Sequence, residues 1–160
     1  MKKLLGLLVL IVLLAPPAVL AGTATANLQV TVTVDAACGV TTNPLTFPDY
    51  NPVGTNATIP DDGTGFVVLQ CSTGLSAHIG LDRGLNTGRM QDQLNNFVSY
   101  ALYQDANRTI TWGNTSGSWV TSPPALNTIP QIFTVYGRIP PGQTSPSGAY
   151  SDTVVATVNF

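Results

Sequence analysis

The sequence predicts an all-β protein built as an antiparallel sandwich, on three observations. Apolar and polar residues alternate in short runs, as in Leu28–Val34, Ala77–Leu81 and Val154–Phe160, which is the two-residue period of a half-buried strand. No stretch repeats at the helical period. Fifteen Gly and 12 Pro, with many Thr, Ser and Asn, punctuate the apolar runs at short spacing, as the turns of a sandwich require. Only 9% of residues are charged, yet 44% are hydrophobic, so the chain can build a core rather than stay disordered.

The first element is not part of that sandwich. "MKKLLGLLVLIVLLAPPAVLAGTATA" has two lysines, an apolar run from Leu4 to Leu14, a Pro16-Pro17 break and small residues. This is the pattern of a secretory signal peptide, residues 1–21, with a run too short for a permanent membrane anchor. Cleavage is expected after Ala21, with Ala26 the other fitting position. Beyond it the cations are Arg83, Arg89, Arg108 and Arg138, against eight aspartates and no glutamate. Nucleic-acid binding needs clustered cations, so that class of partner is excluded.

Next comes "NLQVTVTVDAACGV", Asn27–Val40, with Leu28, Val30, Val32 and Val34 on one side and Gln29, Thr31, Thr33 and Asp35 on the other. It reads as a half-buried strand with no preceding strand to pair with. Cys38 and Cys71 are the chain's two cysteines, and in an exported chain they read as a disulfide tying the base of this leader to "FVVLQC". Two separate buried thiols is the plainer alternative. A bridge closing this loop constrains the unfolded chain by roughly 3–4 kcal/mol.

Further strands are expected in order. "PLTFPDY" gives a short extended piece near Phe47, limited by its prolines. "PDDGTG" reads as a turn leading into the buried strand "FVVLQC". "SAHIGLD" alternates Ala77, Ile79 and Leu81 against His78, Gly80 and Asp82. "NFVSYALYQD" reads as one strand and "RTITWG" as another, before the polar loop "NTSGSWVTSPPALNT". "IPQIFTVYGRIP" is a strand stopped by Pro140-Pro141, and "AYSDTVVATVNF" closes the sequence with Val154, Ala156, Val158 and Phe160 on one face.

Catalytic chemistry finds little to work with, and no enzyme is expected. His78, the single histidine, falls on the polar side of its strand with no nucleophile patterned beside it. Asp61-Asp62 would suit acid–base work or calcium, but adjacent Asp before Gly63 is turn chemistry. No metal or cofactor is called for. Trp112 and Trp119 flank a polar loop and have the rings for stacking on sugars, although core or loop-anchoring roles are the plainer reading.

The edge strands carry more. Val154–Phe160 has no charged side chain, and an uncharged apolar edge invites pairing with another chain. A spare alternating strand at the other end of the sequence supplies a mate. Donation of that strand from one subunit to the open edge of the next joins the two, and because donor and acceptor differ, the contact propagates head to tail. Burying Leu28, Val30, Val32 and Val34 would contribute on the order of 6–12 kcal/mol before entropy costs.

Several segments together resemble the spore coat protein U domain family, which includes subunits of archaic chaperone–usher pili. They are the alternating leader with Ala36–Cys38, the cysteine of "VLQC", "GRM" at Gly88–Met90, "YALYQDANRTITWG" from Tyr100, "TVYGRIPPGQ" from Thr134 and the ending "GAYSDTVVATVNF". The resemblance implies an incomplete immunoglobulin-like β-sandwich completed by a donor strand, with segment 22–37 as donor and residues 38–160 as the pilin-like body. It implies Leu28, Val30, Val32 and Val34 as donor residues, and Val154, Ala156, Val158 and Phe160 as the strand lining the acceptor groove and meeting a chaperone. Neighbouring pilin subunits, a periplasmic chaperone and an outer-membrane usher are the implied partners, with export through the periplasm to a surface pilus serving adhesion and biofilm formation. Two other classes compete: a self-contained secreted spore-coat or matrix protein whose leader folds back on its own sandwich, and a carbohydrate-binding module using Trp112 and Trp119.

Overall fold

The computed structural model describes residues 22–160; the expected signal peptide, residues 1–21, lies outside the described residues. The chain divides before Val34, and the body that follows is antiparallel throughout. Strands are numbered in chain order. One sheet runs β1 (Cys38–Thr46), β2 (Asp61–Cys71), β8 (Gln131–Ile139), β6 (Ala101–Tyr103). The second runs β7 (Val120–Thr121), β3 (His78–Leu81), β9 (Ala156–Asn159). A small hairpin joins β4 (Arg89–Gln91) to β5 (Phe97–Ser99). Among the described residues the one helical turn is the 3-10 turn Thr55–Ala57, and the fold is the expected all-β sandwich.

Alternation explains the core. Val67, Leu69 and Cys71 of β2 and Val135 of β8 face inward, and meet Ala77, Ile79 and Leu81 around β3, with Trp112 and Ala125 between. The intervening residues of β2, such as Phe66 and Gln70, are exposed. At the far end of the first sheet the inward positions are glycines. A Cβ on Gly65 would stand 2.9 Å from Leu45 Cα, and one on Gly137 would stand 2.8 Å from Phe47 Cζ. That space lets the chain leaving β1 fold Leu45 and Phe47 over the sheet. The register shift between Asn43 and Thr46 brackets Pro44, which has no N–H to give a ladder.

Several elements differ from the sequence expectation. Asn27–Asp35 forms no strand; an alternating run is a ladder only when it has a partner edge. The first strand is β1 instead, and the extended piece expected in "PLTFPDY" overlaps its last three residues, Pro44 to Thr46. Asp61–Gly65 are not a turn but the first half of β2, paired with Val135–Ile139. "NFVSYALYQD" breaks at Tyr100, β5 joining β4 and β6 joining β8. "RTITWG" contributes a single bridge, Thr111 to Tyr103. The strand β4 and the two-residue β7 inside the polar loop were not expected.

Candidate functional site

The sandwich is open along one side. β1 ends the first sheet and β9 ends the second, so among the described residues each has one edge without a partner. Residues opposite one another in an antiparallel pair share a face. Val40 and Thr42 of β1 are opposite Leu69 and Val67, which are 1% exposed, so they too point to the interior side. Yet Val40 is 38% exposed and Thr42 is exposed. Within the described body, 34–160, that row is left uncovered. Across the gap Val154, Ala156 and Val158 pack on the core but stay half-buried, and Phe160 is 60% exposed.

A cleft of about 480 Å³ opens between these strands, floored by Val67, Val135, Leu81 and Leu102, with Met90, Tyr100 and Leu45 at its far end. Its lining is apolar apart from hydroxyls, amides and Asp152. That carboxylate is engaged: its Oδ2 accepts from Tyr100 Oη at 2.8 Å, and its Oδ1 from Thr153 N and Asn86 Nδ2. Burial, then the bond to Asp152 and the nearby negative charges, push the Tyr100 hydroxyl well above its ordinary pKa, so it stays a neutral donor. Val155 N and Gly84 N both donate to Asp82 Oδ1 at 2.9 Å. These bonds fix the entry to β9, and with it the groove wall. No charged side chain lies in Cys38–Thr46 or in Val154–Phe160, so neither edge carries the charges that deter pairing.

At the other end Cys38 and Cys71 form the expected disulfide, joining the free-edged β1 to the core strand β2 where the leader meets the body. The leader's apolar row matches the groove in chemistry: Leu28, Val30, Val32 and Val34 are 83–88% exposed.

The other sequence candidates fall elsewhere. Trp112 is 5% exposed and its Nε1–H donates to Ile79 O at 2.8 Å, so it is a core residue and the two-tryptophan sugar platform does not exist. Trp119 instead stacks on His78, ring centroids 4.6 Å apart, and His78 Nδ1 bonds Thr121 Oγ1 at 3.0 Å. His78 is thus half-buried by an aromatic partner. Asp61 and Asp62 diverge to opposite faces of β2. Asp62 pairs bidentately with Arg138 at 2.7 and 2.8 Å and also meets Arg108 at 3.2 Å; Asp61 is 8% exposed with an unbonded Oδ2. Of the row Val154, Ala156, Val158 and Phe160 singled out from the sequence, Val154 and Ala156 line the cleft; Thr42–Leu45 of β1, which line it too, were missed, because Gly39–Pro44, exposed on both faces, has no alternation to read.

Comparison with known proteins agrees with this architecture. The family model described as Spore Coat Protein U domain matches residues 24–157. The chain is 41% identical over 158 residues to "Protein U" of Myxococcus xanthus, covering 88% of this chain and 87% of that one. Among solved structures it resembles a chain of the CsuC–CsuE chaperone–tip adhesion subunit pre-assembly complex from the archaic chaperone–usher Csu pili of Acinetobacter baumannii. The TM-score is 0.57 at 21% identity, over 80% of this chain and 41% of that chain. That likeness is one of fold, and this chain spans about two fifths of that one's length.

Proposed function

The chain belongs to the Spore Coat Protein U domain family, and on that premise we propose that it is a structural subunit that polymerises by donor-strand exchange. Leu28, Val30, Val32 and Val34 of segment 22–37 enter the groove between β1 and β9 of the next copy, whose residues 38–160 form the accepting body. One observation carries this reading: the same chain holds an alternating apolar segment and an uncharged, unpaired sandwich edge over an open core. Each supplies what the other lacks. The groove receives the missing side chains, and both edges receive ladder hydrogen bonds.

Val154, Ala156 and Val158 line the acceptor on its β9 side, with Phe160 at its rim. Left open, such a groove is an aggregation hazard, so a periplasmic chaperone holds it until exchange and an outer-membrane usher delivers the subunit to a surface pilus for adhesion. The solved relative, a chaperone–subunit complex, supports the chaperone step. The self-contained coat reading instead needs the leader's apolar row to be buried by its own chain, and it predicts that Val32→Asp destabilises the isolated monomer. Electron microscopy of the purified protein tests the proposal: fibres with a subunit repeat are expected, and a population of stable monomers under assembly conditions would refute it.

A further inference from the structure

We propose that Ser72 is a positioning residue that makes the joint between donor strand and body rigid; this rests on the donor-strand reading. β1 and β2 continue one pair beyond the disulfide, with Ala37 opposite Ser72. Ser72 N donates to Ala37 O at 2.8 Å, as a ladder would. The return bond is not made to the Ser72 carbonyl. Ala37 N donates instead to the Ser72 hydroxyl at 3.2 Å. The same oxygen lies 3.3 Å from Ala37 O and 3.4 Å from Asp35 O, so its single proton is offered to one of these carbonyls. The side chain thereby extends the grip of β2 to Ala37 and brings the Asp35 carbonyl, just after the donor row, within its reach.

The base of this grip is fixed. Cys71 beside Ser72 is held by the disulfide, and Gly74 N two residues on donates to Ala125 O at 2.7 Å. Between Val34, the final donor residue, and Cys38 stand only Asp35, Ala36 and Ala37. Fully extended chain spans at most about 3.6 Å per residue, so neighbouring bodies must abut. Ala37 is held through both its N–H and its carbonyl, and the Asp35 carbonyl lies within reach of the same hydroxyl. A copy docked through this leader cannot swing freely on it, and the angle between successive subunits is set at Ser72.

Ser72→Ala and Ser72→Thr, made in the full chain, separate this from a general role in folding. In Ser72→Ala the Ala37 amide should exchange with solvent about tenfold faster. The spread of angles between successive subunits in electron micrographs should roughly double, with fibre yield and melting of the body unchanged. Ser72→Thr, which keeps the hydroxyl, should restore both readouts. Wild-type Ala37 exchange and angular spread in Ser72→Ala fibres would overturn the proposal. A wild-type protein that forms no fibres refutes donor exchange and the joint with it, whereas Ala37 exchange in the monomer reports separately whether Ser72 grips the leader.

Discussion

Neighbouring aspartates on one strand meet opposite fates, because a strand turns successive side chains to opposite faces. Burial, reinforced by the charges of Asp62 and Asp49, raises the pKa of Asp61. The Arg138 hydrogen bonds, then the Arg108 and Arg138 charges, lower that of Asp62 against its own desolvation. A carboxyl raised in the folded state costs stability once pH climbs past its unfolded value, and the cost vanishes below it. A carboxyl lowered in the folded state contributes stability above its unfolded value and loses it as pH falls through the folded one. Asp61→Asn should therefore stabilise the body by about 1 kcal/mol at pH 7, a gain that disappears on acidification below the ordinary aspartate range. Asp62→Asn should destabilise at pH 7 and converge with wild type in acid. Denaturant titrations across pH check both, and equal signs at pH 7 would refute the account of the pair. The tryptophans divide likewise. Trp112→Ala should cost roughly 3–5 kcal/mol of unfolding free energy, while Trp119→Ala, which removes a half-buried stack on His78, should cost about 1 kcal/mol. Composition at "PDDGTG" spelled a turn, and only the long-range pairing with Val135–Ile139 made it a strand.

At the scale of elements, what the sequence reveals is one-sided burial. β3, β8, β9 and the second half of β2 each have one face on the core, so their alternation could be read directly. Between Cys38 and Leu45, which touch the core, β1 has no buried face, and its residues carried no pattern. The break at Tyr100 was also silent, since β5 and β6 form one continuous run whose halves join different sheets. Glycine was similarly mute. Gly65 fell in the expected turn "PDDGTG" and Gly137 inside an expected strand, whereas both are the clearance for Leu45 and Phe47. Gly137→Val should accordingly destabilise the body by roughly 1–3 kcal/mol through overpacking, despite its better strand propensity. A chemical denaturation midpoint equal to or above wild type would contradict the packing described for the end of β1.

On the proposed donor exchange, the molecule carries two mismatched halves of one contact: an alternating segment without a sheet and a sandwich with unpaired edges. The alternation of the leader and the missing charge of β9 are legible in the sequence, but the β1 side of the cleft and the grip of Ser72 depend on register that no local pattern encodes. Donor exchange is the claim that unites them, and its most direct test is the paired substitution Val32→Asp and Thr31→Asp, read as fibre yield alongside monomer melting. A carboxylate at Val32 must enter the apolar groove, lose hydration or take up a proton, at a cost of several kcal/mol. At Thr31 it lies on the opposite face of the strand, away from the groove. Donor exchange predicts that Val32→Asp abolishes fibres while the chaperone-held monomer melts as wild type, and that Thr31→Asp is mild. Fibres retained in Val32→Asp, or a monomer destabilised by it, would contradict the account.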